Sequence, residues 1–287
     1  MQTLPDRIET EEHLEDLMSE PTLELVEDLK QVDGDIMVLG VGGKVGPTLA
    51  RMAKRAAPGK RVIGVARFSE PGLAEQLESW GIETIRCDLL DPQGLARLPK
   101  VRNIVYMAGK KFGTNDDPSF AWAMNTYVPA IVAREFRESR LVVFSTLCVY
   151  PFAPVVQHGW DESVEPGPLG DYANSCVGRE RAFAYGSRQW GTPGRLMRLN
   201  YSIDMRYGVL IDIANWVNRE EPIPVATGHA SVIWQGDCNA QMLRTFRHCT
   251  TPTLPLNIGG PELASVRMLA HEFGKRFGKK PMFDGVE

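Results

Sequence analysis

Three glycines near the start of the chain are spaced as G-x-x-G-x-x-G: Gly40, Gly43 and Gly46. An apolar stretch precedes them and an alanine-rich stretch follows. Glycine can turn the chain off a strand, admit a ligand close to the backbone and let a helix pack tightly on a sheet. Free N–H groups at the start of that helix would favour a pyrophosphate. The pattern therefore predicts dinucleotide binding, and the predicted site includes the loop residues Lys44 and Val45.

The elements around this loop alternate between strand and helix. Strands are predicted at residues 36–39, 61–66, 83–87, 103–107, 141–144 and 195–199, and helices at residues 48–56, 73–80, 120–138 and 172–190. Short apolar strands that alternate with helices are typical of a parallel sheet covered on both faces. The fold class is therefore α/β, a doubly wound, Rossmann-type parallel sheet with a smaller α+β C-terminal lobe. Ligands of such a sheet bind at the carboxyl ends of its strands.

Three regions are predicted along the chain. Residues 1–33 form an acidic extension with two short amphipathic helices, residues 34–198 form the dinucleotide-binding domain, and residues 199–287 form a smaller substrate-binding lobe. In the lobe the regular alternation fades, and shorter strands mix with helices.

Composition excludes several classes of protein. A net charge of −4 over 287 residues gives no reason to expect a nucleic-acid partner. The five cysteines are scattered without a C-x-x-C pair and the histidines are isolated, so no metal site is predicted. The N-terminal region is acidic and has no long apolar run, which indicates neither a signal peptide nor a membrane anchor. We expect a cytoplasmic protein with reduced cysteines.

With these elements in order, the chain resembles the extended short-chain dehydrogenase/reductase family, in particular its NAD-dependent epimerase and dehydratase group. The motifs that carry the resemblance are the glycine loop, Asp88-Leu89, Met107-Ala108-Gly109, Asn125, Phe144-Ser145-Thr146, Tyr172 and the late segment Asn257-Ile258-Gly259-Gly260-Pro261-Glu262. The resemblance spans most of the chain between residues 35 and 280, and it is the ordered set of motifs that makes it specific.

The resemblance implies roles for these residues. Tyr172 and Thr146 are the expected catalytic pair, because in this family a tyrosine donates or removes a proton while hydride moves to or from the nicotinamide. Substrate contacts are expected from Ser145, Thr146 and Asn200. Cofactor contacts are expected from the glycine loop and from Asp88, Leu89, Met107, Ala108, Gly109 and Asn125.

One position departs from the family pattern. A free tyrosine has a pKa near 10, and the family lowers it with a lysine four residues later on the same helix face. Here that position holds Cys176. Three accounts remain open: another cation such as Arg179, Lys110 or Lys111 substitutes, the chemistry needs little help from a lysine, or the protein binds the cofactor without catalysis.

The end of the second strand bears on the choice of cofactor. NAD-preferring relatives end this strand with an acidic residue, which binds the ribose 2′-hydroxyl. Here Ala66 stands in that place and Arg67 follows, and an arginine suits a 2′-phosphate by charge and geometry. The cofactor is therefore expected to be NADP in preference to NAD.

The substrate is expected to be a small carbohydrate-like molecule. Ala230 lies near a position where nucleotide-sugar enzymes often carry an arginine, which favours a simpler sugar or sugar acid. The resemblance also implies a homodimer paired through the helices at residues 120–138 and 172–190, with Phe183 in the seam. Two functions remain open, an NAD(P)-dependent oxidoreductase or epimerase/dehydratase, and a non-catalytic dinucleotide-binding protein that senses redox state or serves as a scaffold.

Overall fold

The computed structural model describes residues 5–157 and 159–286. Two N-terminal helices, α1 (Glu11–Met18) and α2 (Leu23–Lys30), begin after threonines whose side chains accept the hydrogen bonds of helix N–H groups. Their apolar side chains Leu14, Met18, Leu25 and Leu29 are buried. The acidic extension is thus docked on the body of the protein along a buried stripe.

Seven parallel strands form the main sheet. They are β1 (Ile36–Leu39), β2 (Val62–Ala66), β3 (Glu83–Arg86), β4 (Asn103–Tyr106), β5 (Arg140–Thr146), β6 (Gly194–Leu199) and β10 (Leu254–Ile258). The order across the sheet is β10-β6-β5-β4-β1-β2-β3. Strand order reverses between β1 and β4, and this switch point is where a doubly wound sheet binds its ligand. The predicted α/β Rossmann-type fold is confirmed.

Helices cover both faces of this sheet. They are α3 (Gly46–Ala56), α4 (Leu73–Ser79), α5 (Pro92–Arg97), α6 (Pro118–Trp122), α7 (Val128–Glu135), α8 (Gly170–Trp190) and α10 (Gln235–Arg244). One hydrophobic core lies against α2, α3, α4 and α10, and a second lies against α5, α7 and α8. The two cores hold the carboxyl ends of β1 and β4 in fixed register.

Two small sheets belong to the C-terminal region. In one, β9 (His229–Trp234) pairs with β7 (Tyr201–Ile203) in parallel and with β11 (Leu263–Ser265) in antiparallel fashion. In the other, β8 (Pro222–Pro224) pairs with β12 (Met282–Asp284). Helices α9 (Val209–Arg219) and α11 (Val266–Phe277) pack together over a separate apolar cluster. Strand β10, also from the predicted lobe, joins the main sheet.

Across residues 5–157 and 159–286, no helix combines the length and the apolar character needed to span a membrane. The same residues contain no group of three His, Cys, Asp or Glu side chains that could hold a metal ion.

Candidate functional site

A cavity of about 420 Å³ opens at the carboxyl ends of β1, β2, β3 and β4. It lies at the switch point of the sheet, between the glycine loop and the segment that follows β4. Eight of the residues predicted to bind the cofactor line it: Gly40, Gly43, Arg67, Asp88, Leu89, Met107, Ala108 and Gly109. The sequence motifs, which are far apart along the chain, therefore converge on one groove.

The three glycines of the loop meet different surroundings. Gly40 has a φ of 93°, and a Cβ atom there would lie 2.6 Å from the backbone nitrogen of Ala108. A Cβ atom at Gly46 would lie 2.1 Å from the carbonyl oxygen of Val41. Gly43 is different, because a Cβ atom there would meet only the Gly40 oxygen, at 3.6 Å. The fold itself requires the first and third glycines, whereas the second faces open space that a pyrophosphate can enter.

The far end of the cavity is formed by the loop after β2. Arg67 and Ser69 line it and are exposed, whereas Phe68 is buried with a φ of 48°. Arg86, on β3, donates hydrogen bonds to the carbonyl oxygens of Arg67 and Phe68, the latter at 3.1 Å. Sequence analysis missed Arg86 and Phe68, because neither stands in a motif position. Together they fix the turn that presents Arg67 and Ser69 to the cavity.

Asn125 lies in a single π-helical turn, Ala123–Tyr127, between α6 and α7. Such turns often occur at functional sites. Its amide accepts a hydrogen bond from the Lys110 N–H and donates one to the Lys110 carbonyl oxygen, both at 2.8 Å. The amide also donates to Ser175 Oγ at 3.0 Å. Asn125 therefore holds the segment after β4 in place and does not itself line the cavity, so its predicted cofactor contact stays a prediction.

The predicted catalytic side chains lie beside one another. Thr146, at the end of β5, accepts a hydrogen bond from the Cys148 N–H, and Tyr172 lies in the first turn of α8. Burial raises the pKa of the Tyr172 phenol well above its ordinary value, while Arg179 and a hydrogen bond with Thr146 act in the opposite direction. Burial likewise raises the pKa of the Cys176 thiol. A neutral thiol thus occupies the helix turn that follows Tyr172.

Arg179 is buried one helical turn beyond Cys176. Its Nη1 donates to the carbonyl oxygen of Phe144 and its Nη2 to Oδ1 of Asn125, both at 2.8 Å. A Cβ atom at Gly109 would lie 2.4 Å from that Nη2. The guanidinium therefore lies directly against the segment that lines the cavity.

The other two predicted cations lie farther toward the surface. The ammonium of Lys110 lies 6.0 Å from the centre of the Phe120 ring, and that of Lys111 lies 5.6 Å from the centre of the Tyr201 ring. Lys44, in the glycine loop, lies 4.0 Å from the centre of the Tyr207 ring. These lysines thus contact aromatic rings, with Lys44 linking the glycine loop to the segment after β7.

A buried polar network that sequence analysis missed lies behind Thr146. Arg198 donates to both carboxylate oxygens of Glu180, at 3.0 and 2.8 Å, and to the Tyr150 hydroxyl at 2.6 Å. Ser145 Oγ donates to Glu180 at 2.6 Å, and the Tyr150 hydroxyl donates to Asn257 at 2.9 Å. The sequence signal for this network is Arg198 within a buried strand, because a buried arginine needs an acidic or polar partner.

The remaining predicted substrate residues have structural contacts. The Ser145 hydroxyl is engaged by Glu180, and the Asn200 N–H donates to the Ile258 carbonyl oxygen at 3.2 Å. Asn257 binds the loop before α8 through two hydrogen bonds. Its side chain donates to the Trp160 carbonyl oxygen, and its N–H donates to Glu162 at 2.6 Å. The predicted substrate contacts of Ser145 and Asn200 stay predictions.

The expectation that Phe183 lies in a dimer seam is wrong. Its side chain is buried against the main sheet, with its ring 5.2 Å from that of Tyr106. The residues of the same two helices that face outward include Tyr127 and Tyr185, which are 51% and 60% exposed.

Comparisons with known proteins agree with this architecture. The sequence profile of the NAD dependent epimerase/dehydratase family matches residues 36–201. A search of curated protein sequences gives no match.

Solved structures of sugar-nucleotide epimerases share the fold. The UDP-glucose 4-epimerase of Thermus thermophilus, in complex with NAD, is 19% identical, with a TM-score of 0.71 over 88% of this chain and 86% of that one. The UDP-glucuronic acid 4-epimerase of Bacillus cereus, in complex with UDP-glucuronic acid and NAD, is 18% identical, with a TM-score of 0.74 over the same shares. The UDP-glucose 4-epimerase of Thermotoga maritima, with UDP-glucose, is 16% identical, with a TM-score of 0.71, again over 88% and 86%.

Proposed function

Because the chain belongs to the NAD dependent epimerase/dehydratase family, we propose that it is an NAD(P)-dependent oxidoreductase or epimerase/dehydratase acting on a sugar or sugar-derived substrate. The observation that carries this proposal is the interaction of Thr146 with the Tyr172 phenol, in a chain whose glycine loop lines a cavity at the switch point of the sheet. A family fold alone does not imply a reaction, whereas this pair of interacting hydroxyls supports one.

The chemistry assigns each hydroxyl a task. Bound NAD(P) supplies the site with an acceptor or donor of hydride at its nicotinamide ring. Tyr172 takes the proton of a substrate secondary alcohol as the hydride leaves the same carbon, and returns the proton when the carbonyl is reduced. Thr146 hydrogen-bonds the same substrate oxygen and orients it toward Tyr172. The alcohol thus loses one hydride and one proton to become a ketone, and the reverse step restores both.

The cofactor preference proposed here is NADP. Arg67 and Ser69 both line the end of the cavity where the adenosine ribose would lie, and no acidic residue ends β2. A guanidinium can bind a 2′-phosphate through two hydrogen bonds. Glu70 lines the same end and opposes an added negative charge, so the balance between NADP and NAD depends on Arg67.

The proposed substrate is simpler than a nucleotide sugar. Two of the solved epimerases named above are in complex with UDP-glucose or UDP-glucuronic acid, and in this chain Ala230 is buried in β9 near the position where nucleotide-sugar enzymes often carry an arginine. A diphosphate would find no guanidinium from that position. A sugar or sugar acid has no diphosphate and therefore does not need a guanidinium at that position.

A homodimer paired through α7 and α8 is part of the proposal. Tyr127, in the π-helical turn before α7, and Tyr185, on α8, are exposed and supply aromatic surface, as interfaces commonly do. Light scattering at micromolar concentration should report a dimer, and replacing both tyrosines with glutamate should give a monomer. A monomer in the unmodified protein would contradict this.

A second candidate function is dinucleotide binding without catalysis. The buried, neutral Cys176 favours it, because a thiol brings no positive charge to the Tyr172 phenol. Such a protein would bind the cofactor in the same cavity and would transfer no hydride.

One pair of variants separates the two functions. Hydride exchange into bound NADP or NAD is measured across a panel of sugars and sugar acids for Tyr172→Phe and for the control Tyr185→Phe, an exposed tyrosine on the same helix. We expect Tyr172→Phe to lose exchange by at least about 100-fold, the contribution of general acid–base catalysis, and Tyr185→Phe to retain it. Cofactor binding without exchange in the unmodified protein on every substrate would favour the non-catalytic function.

A further inference from the structure

The Arg179 guanidinium donates hydrogen bonds to neutral groups, and these contacts leave its positive charge unneutralised. The residue is 6% exposed, and both of its hydrogen-bond acceptors, the Phe144 carbonyl and the Asn125 amide, are neutral oxygens. The nearest acid on the same helix, Glu180, is already paired with Arg198. Burying an arginine is costly unless it has a compensating interaction. A buried charge that no acid neutralises shifts the pKa values of neighbouring ionisable groups.

Several features of the chain accommodate this charge. Gly109 has no side chain where one would collide with Nη2. The π-helical turn presents Asn125 Oδ1, which accepts hydrogen bonds from both Nη2 and the Lys110 N–H. The Nε–H of Arg179 has no partner among the described residues. The guanidinium is therefore held at two points against the cavity wall and retains a donor for another group.

Tyr172 and Arg179 lie seven residues apart, about two turns along one face of α8. The charge of Arg179 lowers the pKa of the Tyr172 phenol, against the larger effect of burial. The other groups that act on this phenol are Cys176 and Cys148, which raise its pKa when ionised, and the Thr146 hydroxyl, which lowers it. Neither thiol can supply a positive charge and the Thr146 hydroxyl is neutral, so among these groups the positive charge that stabilises a tyrosinate comes from Arg179.

We propose that Arg179 is a positioning residue that supplies the positive charge for proton transfer by Tyr172, taking the electrostatic role of an amine at position 176. The proposal rests on the proposed function, because it concerns the acid–base step of that reaction. Arginine suits the task, since it stays protonated when buried.

The first test is chemical rescue. Arg179→Ala removes the guanidinium and leaves a space of its shape, and exchange is then measured with added guanidinium or with urea, which has a similar shape and no charge. We expect Arg179→Ala to lose about 100-fold in hydride exchange, guanidinium to restore part of it and urea to restore none. Arg188→Ala, an exposed arginine on the same helix, should exchange as the unmodified protein does. Equal rescue by urea, or full activity in Arg179→Ala, would overturn the proposal.

The second test compares Arg179→Lys with Arg179→Met, which fill similar volumes and differ in charge. The pH profile of exchange should keep its rising limb in the lysine variant and shift by about one unit or more toward higher pH in the methionine variant. Thermal unfolding of both variants reports any loss of stability separately. If the two variants lose activity equally with unchanged pH profiles, Arg179 is a structural residue and the proposal fails.

A third measurement needs neither cofactor nor substrate. The NMR signal of the tyrosine Cζ carbon reports ionisation of the phenol, and Tyr172→Phe identifies the signal of Tyr172. We expect its titration to move to higher pH in Arg179→Met and not in Arg188→Ala. An unchanged titration overturns the role of Arg179 even if the enzyme is active. A shifted titration in a protein that never exchanges hydride upholds the electrostatic contact and instead overturns the proposed function.

Discussion

The Arg179 guanidinium fills the space that a side chain at Gly109 would need. A Cβ atom at position 109 would lie 2.4 Å from the guanidinium nitrogen that binds Asn125. The small residue after β4 is therefore explained by a side chain 70 positions later in the sequence, in addition to its proposed contact with a cofactor. Motif comparison alone suggests only the cofactor contact as the reason for a small residue here.

This relationship predicts the effect of Gly109→Ala. The added methyl group must displace the guanidinium or the backbone, so we expect a loss of about 1–3 kcal/mol in the free energy of unfolding, as for other overpacked sites. Chemical denaturation measures it, and Gly59→Ala, whose Cβ would meet nothing within 4 Å, is the control. In Arg179→Ala the same Gly109→Ala change should cost much less. Additive losses would show that the two positions are not coupled.

Gly43→Leu should weaken dinucleotide binding in a folded protein. Position 43 faces open space, so the fold tolerates a side chain, but the side chain would stand where the pyrophosphate must approach. We expect calorimetry to show at least about a tenfold loss of affinity, or about 1.4 kcal/mol. Gly59→Leu should bind as the unmodified protein does. Unchanged affinity in folded Gly43→Leu would remove the glycine loop from the site.

Arg67→Ala should weaken NADP binding more than NAD binding. One lost charge-assisted hydrogen-bonding contact is worth about 1.5–3 kcal/mol. Calorimetric titrations with both cofactors measure the difference, and Arg219→Ala, an exposed arginine on α9, is the control for the change in net charge. Equal losses for the two cofactors, or tighter binding of NAD by the unmodified protein, would contradict the proposed preference.

Removing one partner of the buried Glu180–Arg198 pair should be strongly destabilising. Both side chains are almost fully buried, and a single replacement leaves the other charge unpaired. We expect Arg198→Met to cost about 3–5 kcal/mol in the free energy of unfolding, and Glu180→Leu/Arg198→Met to cost less than the sum of the single changes. Denaturant unfolding of the four proteins gives the coupling. A coupling near zero would show that the pair acts as two independent residues.

Acid should loosen the N-terminal helices. Arg244 and Arg247 donate hydrogen bonds to the Asp28 carboxylate, each at 2.7 Å, and hold its pKa below the ordinary value. A lowered pKa in the folded state means that this stabilisation is present above the unfolded-state value near 3.9 and is lost as the pH falls through the folded-state value. Unfolding measured between neutral pH and acid should show this loss, and Asp28→Asn should lack that part of the pH dependence. The same slope in both proteins would contradict the assignment.

Sequence patterns predicted the main sheet well because its central strands β1, β2, β4 and β5 are almost fully buried. The predicted bounds of β1 to β6 agree with the structure to within one or two residues, although β3 has no continuous apolar run and was recognised from the alternation of strands with helices. The short elements α5, β7, β11 and β12 carry too few periodic residues to be recognised, and sequence analysis missed them.

Contacts between side chains that are distant in the sequence were harder to predict from sequence patterns. The sequence offers three cations as candidates, and it carries no pattern for the π-helical turn that brings Asn125 to Arg179. Phe183 was placed on the wrong face of α8, because that helix has apolar residues around much of its circumference. The ion pair between Glu180 and Arg198 joins a helix to a strand 18 residues later, and spacing does not show such pairing.

The hydrogen bond from the Asn257 N–H to Glu162 also bears on how the protein behaves in a crowded solution. Strand β10 is the last strand on its side of the sheet, and an unpaired strand edge invites a strand from another molecule to extend the sheet. Here a negatively charged carboxylate already holds one of the N–H groups that such a strand would need. We therefore expect Glu162 to oppose edge-to-edge pairing, so that Glu162→Ala leaves the protein folded but more prone to form fibrils.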